Sequence, residues 1–244
     1  DALTSAGLFG KGTSQSPMLP DLVRMSYRGH VTRDGRRLAM NDFALAPAPA
    51  TFEMPVALMI GTSMSAGKTT SGQIIIRALR YLGYEVTAAK LTGAARYRDI
   101  LSFRDAGAEQ VFDFVDAGLP STVCEAADFR AAAERVLSRM AATGADCAVI
   151  EAGASPLEPY NGDALMDALG DRVALTVLCA SDPYAVLGVQ RAFADRLQPD
   201  IVAGPAASTS AAVDLVRKLT GLRALNLMDR ATYPALLEIL QDAF

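Results

Sequence analysis

The stretch VALMIGTSMSAGKTT (residues 56–70) constrains the fold of this chain more than any other. Its apolar, branched first half reads as a buried strand. The glycines, serines and threonines that follow cannot extend that strand, and TTSGQIIIRALRYLG (69–83) then carries apolar residues at helical spacing. Strand, small-residue loop and helix, in that order, form the context in which the Gly67-Lys68-Thr69 triplet reads as a phosphate-binding loop. Glycines let backbone N–H groups turn inward around an anion, and the helix that starts near Lys68 adds its partly positive N-terminus. An ordinary strand-to-helix turn needs capping residues but has no need of a lysine between glycine and threonine.

The rest of the chain repeats the alternation. Apolar runs at 85–90 (EVTAAK), 147–151 (CAVIE), 173–179 (VALTVLC), 200–204 (DIVAG) and 223–227 (RALNL) read as further strands. Helical patterns at 128–144, 184–197 and 210–221 fall between them, and Gly83, Gly144 and Gly221 are placed to stop helices. Asp182-Pro183 reads as a helix start. Alternating strands and helices predict an α/β fold with a doubly wound, mainly parallel sheet of the P-loop NTPase type. Residues 1–52 differ in texture: a Gly/Ser/Pro-rich loop is followed by two short runs around Arg33-Asp34-Gly35, a hairpin signal, and APAPATFEMP (46–55) reads as a linker. The expected organisation is a small N-terminal β extension, or the tail of another domain, over 1–52, and a nucleotide-binding domain over 53–244.

Composition narrows the partners. A net charge of −4 over 244 residues gives no electrostatic footprint for nucleic acid. No stretch reaches the ~20 apolar residues of a membrane span. Cys124, Cys147 and Cys179 lack the close spacing of a zinc site and do not suggest a disulfide framework, so a cytoplasmic location is expected. His30 is the sole histidine and lies in the expected hairpin, far from the acids considered below, which argues against a histidine-dependent triad.

The loop identifies the candidate site residues. Gly61, Thr62, Ser65, Ala66, Gly67, Lys68, Thr69 and Thr70 would surround the phosphates, with Lys68 neutralising charge and the Thr69 hydroxyl holding magnesium. Glu151 ends an apolar strand, at the sheet edge where open α/β folds bind ligands. Lys90 ends another; a substrate-side lysine and a solvated surface lysine are both compatible with that position. Asp99 and Asp105 both qualify by position as a second magnesium carboxylate, with Asp99 favoured. Arg96 and Arg98 are placed to stabilise charge on a transferred phosphoryl group, though exposed helix positions account for them better; Tyr160 and Asn161 would face a substrate or a partner subunit, though PYNG (159–162) reads as a turn without that role.

Five residues rather than four separate Gly61 from Gly67-Lys68-Thr69, and this longer loop resembles that of the dethiobiotin synthetase family. GYEVTAAKLTG (83–93), FVDAGLPSTV (114–123) and DCAVIEAGASPLEPYNG (146–162) are similar to that family's second strand, substrate-side proline segment and acidic strand end, in the same order. The chain departs from it at Ser63 and Ser65, where acids are usual, at ASDPYAVLG (180–188), and at PAASTS (205–210), which lacks the asparagine expected near the base. A closer likeness is to P-loop proteins that join such a domain to a separate N-terminal one.

The resemblance implies an ATP- and magnesium-dependent enzyme that phosphorylates a carboxylate or carbamate on a small amine-bearing metabolite. Lys68 and Lys90 would be its catalytic residues, Thr69, Glu151 and Asp99 its metal ligands, and a homodimer its assembly. Two alternatives stand beside it: a nucleotide-dependent switch or adaptor, and, more remotely, an amino-acid N-acyltransferase that holds coenzyme A on the same loop.

Overall fold

The computed structural model describes residues 1–3, 8–153, 155–156, 158–193 and 198–244. Thr32–Arg33 (β1) and Arg36–Arg37 (β2) pair antiparallel across Asp34 and Gly35, both at positive φ, as a two-residue hairpin turn requires. Among the described residues the main sheet has six strands: Val56–Gly61 (β3), Val86–Thr92 (β4), Gln110–Asp113 (β5), Cys147–Ala152 (β6), Val173–Cys179 (β7) and Ile201–Ala203 (β8). They lie in the order β5-β4-β6-β3-β7-β8, and each neighbouring pair is parallel.

Every connection between parallel strands needs a crossover, and the helices supply it. They are Lys68–Tyr81 (α1), Tyr97–Asp105 (α2), Ala126–Ala141 (α3), Gly162–Leu169 (α4), Pro183–Ala192 (α5), Ser210–Thr220 (α6) and Tyr233–Ala243 (α7). The strands are apolar on both faces and side chains alternate between two cores. Val56, Leu58 and Ile60 of β3 join α3 to α6, whereas Ala57 and Met59 join α1, α2 and α7. The result is a three-layer α/β/α sandwich.

Strand order positions the site. The chain leaves β3 through α1 and skips one place to β4, and β6 later fills the gap. β3, which leads into the loop at 61–67, and β6, whose penultimate residue is Glu151, therefore become neighbours, with Met59 in register with Glu151.

Most sequence-derived elements are present, with specific differences. The expected strand at 223–227 is reduced to a single bridge between Ala224 and Val202, after which the Asn226 side chain accepts from Met228 N and turns the chain. The short β5 and the helices α4 and α7 were not anticipated, and α2 only through the reading of Arg96 and Arg98 as helix residues. The helix expected at 184–197 runs as α5 to Ala192, and residues 194–197 lie outside the described residues, as do 154 and 157 in the acidic strand-end run. Asp182 starts α5 as expected, accepting from Tyr184 N and Ala185 N with Pro183 behind it. Gly83, Gly144 and Gly221 follow α1, α3 and α6 at positive φ.

Candidate nucleotide site

The loop between β3 and α1 turns through Ser65 at φ 65° and Gly67 at φ 98° before the helix begins. Lys68 folds back across the loop: its Nζ donates to Ser63 O (2.8 Å), and a Cβ on Gly61 would meet that Nζ at 2.8 Å. A side chain at position 61 would have to displace the lysine where it crosses. Thr62 anchors the opposite limb, its N–H donating to Cys179 O (3.0 Å) and its Oγ1 accepting from Ser181 N (3.2 Å). The backbone of Gly204, at φ 80°, packs so closely on the loop that a Cβ there would overlap the Ala66 carbonyl oxygen. Ala66 is buried, whereas Ser65 and Thr70 are exposed.

Across the β3–β6 boundary, Thr69 Oγ1 donates to Glu151 Oε2 at 2.8 Å. The other carboxylate oxygen, Oε1, faces Lys90 Nζ at 3.5 Å, and that ammonium donates to Asp99 Oδ2 at 2.6 Å. The structure therefore brings Lys68, Thr69, Glu151, Lys90 and Asp99 together. Asp105 lies exposed at the far end of α2 and is not part of the cluster. Arg96 and Arg98 are exposed, Arg98 lying 3.9 Å from Asp99 Oδ1. His30 is exposed and stacks edge-on with Tyr27.

The cluster is nearly dry: the side chains of Lys90, Asp99 and Glu151 are 8%, 14% and 3% exposed. Burial lowers the Lys68 pKa, and Glu151 opposes it without reversing the direction. At Lys90 burial also works downward, but Glu151 and then Asp99 outweigh it, so the net shift is upward and the ammonium stays charged. Burial pushes Cys179 up to about 11 and Cys147 up to about 12, so these thiols are neutral core groups rather than nucleophiles.

The donor set suits magnesium. Thr69, Glu151 and Asp99 offer hard oxygens, while no group of three or more His, Cys, Asp and Glu among the described residues could cage a metal alone. Magnesium keeps most of its water and is commonly shared between one or two carboxylates and phosphate oxygens.

Three features of the site escaped the sequence. Asp113 ends β5 in register with Lys90, just as Glu151 does on the other side, and it is 3% exposed. The acid that closes QVFD follows the same rule that singles out Glu151, but the run is too short to be recognised alone. Thr122 and Asn161 brace the segments beside the cluster: Thr122 Oγ1 accepts from Gly93 N and donates to Tyr160 O, and Asn161 Nδ2 donates to the carbonyls of Thr122 and Cys124. PYNG is a turn, as read, but it is also a brace. Gly93 and Gly153 let β4 and β6 diverge in contact, since a Cβ on Gly93 would lie 2.9 Å from the Gly153 carbonyl carbon.

Among the described residues no helix is long and apolar enough to cross a membrane. No protein-family model matches the chain, nor does any curated protein sequence. Among solved structures it is similar to chloroplast FtsY from Physcomitrella patens, with 14% identity and a TM-score of 0.53, across 82% of this chain and 70% of that one. A DUF1611 family protein from Anabaena variabilis matches at 15% identity and 0.49, across 82% of this chain and 63% of its own. A ParA family ATPase from Chlorobium tepidum matches at 13% and 0.44, across 78% and 92%. At 14% identity the likeness to FtsY establishes the fold alone, a six-stranded parallel sheet between helices, and does not reach the resemblance to dethiobiotin synthetases.

Proposed function

We propose that this chain is a magnesium-dependent P-loop NTPase whose nucleotide state is read by the segments around the site. The observation that carries this reading is the 2.8 Å bond from Thr69 Oγ1 to Glu151 Oε2, made where two adjacent parallel strands end. A hydroxyl on the first turn of the loop helix and a carboxylate on the next strand are the two groups such a site uses to hold a metal on a triphosphate. Lys68 and the loop amides bind and orient the phosphates and stabilise charge on the γ-phosphoryl group, and the metal, when bound, neutralises charge on the β- and γ-oxygens. The base could be adenine or guanine. The neighbouring charges support hydrolysis over transfer to an acceptor, because Lys90, Asp99 and Glu151 are turned on one another rather than into an open cleft.

A second reading, phosphorylation of a carboxylate or carbamate on an amine-bearing metabolite, draws on the same Lys90, a buried cation able to position an anionic acceptor. Calorimetry with ATP, GTP and acetyl-coenzyme A, with and without magnesium, tests all of these beside Lys68→Ala. Magnesium-dependent binding of ATP or GTP, lost at least tenfold in Lys68→Ala, is expected, with slow phosphate release that needs no added metabolite. Phosphate release only with an amine or carboxylate metabolite would select the transfer reading, and binding of acetyl-coenzyme A alone would select the acyltransferase. Absence of binding to all three would overturn the loop assignment.

A further inference from the structure

Lys90 sits between two carboxylates that would otherwise be open to a metal. Of the four oxygens on Glu151 and Asp99, Glu151 Oε2 is taken by Thr69, while Glu151 Oε1 and Asp99 Oδ2 both face the Lys90 ammonium, at 3.5 and 2.6 Å. On its other flank Lys90 is in register with buried Asp113, whose carboxylate accepts from Val115 N and has no side-chain partner among the described residues. Two carboxylates thus hold the buried ammonium, and a third lies in register on the neighbouring strand.

We infer that Lys90 is an internal cation that occupies the divalent-metal position until nucleotide arrives, and that Asp113 is the carboxylate to which it then turns. This rests on the reading of residues 61–70 as a phosphate site. The physical argument is one of competition. A free divalent ion approaching Glu151 and Asp99 must expel a buried ammonium from a contact of 2.6 Å, and breaking a buried charge pair is costly. With phosphate oxygens supplying part of the coordination, the exchange becomes favourable, and Lys90 keeps a counter-charge because the register places Asp113 beside it on β5 as Glu151 lies beside it on β6. The four-carbon stem allows that move by side-chain rotation alone. Lys90 thereby couples metal binding to nucleotide binding and holds the site closed to free divalent ions.

The test uses Mn2+ alone, titrated by electron paramagnetic resonance into the full chain without nucleotide. Lys90→Met is expected to bind Mn2+ at least tenfold more tightly than the wild type, and Lys90→Met combined with Asp99→Asn to lose that gain. A folded Lys90→Met that binds no more tightly overturns the inference, as does a double variant that keeps the gain. Because removing a buried cation can unfold the chain, a second measurement uses the wild type: the 15N resonance of the Lys90 ammonium should shift when magnesium and a non-hydrolysable ATP or GTP analogue are added together. An unshifted resonance with nucleotide bound overturns the inference. A wild type that binds no nucleotide sinks the functional reading instead and leaves the Mn2+ comparison standing.

Discussion

Asp113 shows how a single residue carries the energetics of this site. It is nearly inaccessible, and burial pushes its pKa from 3.8 to about 6, against the pull of Val115 N–H and Lys90. A carboxyl whose folded pKa is raised binds a proton that the unfolded chain has already lost. Its contribution to stability is therefore present below pH 3.8 and disappears as pH rises through 6. A shift of this size corresponds to about 3 kcal/mol. Asparagine keeps an oxygen for Val115 N but cannot ionise, so Asp113→Asn should gain on the wild type by up to about 3 kcal/mol between pH 4 and pH 7.5. Urea denaturation at the two pH values measures this, and a constant difference between the two proteins would show that Asp113 does not titrate in that window. Residue by residue, the strand-loop-helix placement of Gly-Lys-Thr was legible because that triplet has few structural uses, and the position of Glu151 beside it because an acid seldom closes an apolar run without reason. Asp99 could be separated from Asp105 only by the fold, since the choice depends on which turn of α2 faces Lys90.

At the scale of elements, long periodic segments were legible and short ones were not. β3, β7, α1, α3 and α6 each contain enough residues for apolar spacing to exceed chance. β5 has four residues and α4 has eight, and α7 opens with Pro234 at its first turn, where a proline fits but which reads in sequence as a break. RALNL shows the converse error: its apolar content is that of a strand, yet only Ala224 bridges to β8, a strand of three residues. The brace between β6 and α4 was invisible because it depends on backbone carbonyls of a distant segment. Asn161 adopts φ 62°, which asparagine tolerates, and its Nδ2 serves both Thr122 O and Cys124 O. Asn161→Ala should cost about 1–3 kcal/mol, through carbonyls left unsatisfied and a backbone conformation that alanine resists. Asn161→Gly would relieve only the backbone part and should fall between alanine and wild type. Equal stability of all three in thermal unfolding would show that the brace is not used.

At the scale of the whole molecule, the extension and the sandwich meet over a short stretch. Among the described residues, the hydrogen bonds of 9–40 stay within residues 1–42, and Met18, Val23, Met25, Tyr27 and Val31 are exposed. Hydrogen bonds to the sandwich are found just beyond them. Gly118 leaves no room for a Cβ against Asn41, Leu45 N donates to Asp116 O, Ala48 N donates to Ser138 Oγ, and Phe52 is buried in the core shared with α3. The change in texture of the sequence lies near 52, whereas these contacts start at 41 and run through APAPATFEMP. We propose that residues 41–52 belong to the folding unit of the nucleotide domain. A chain of residues 41–244 should then unfold in urea at a midpoint close to that of the full chain. A chain of residues 53–244 should lose at least the burial of Phe52, about 2–3 kcal/mol, together with the bonds from Leu45 and Ala48. Equal losses from the two truncations would place the boundary elsewhere, and no loss from either would show that residues 41–52 are not held in solution.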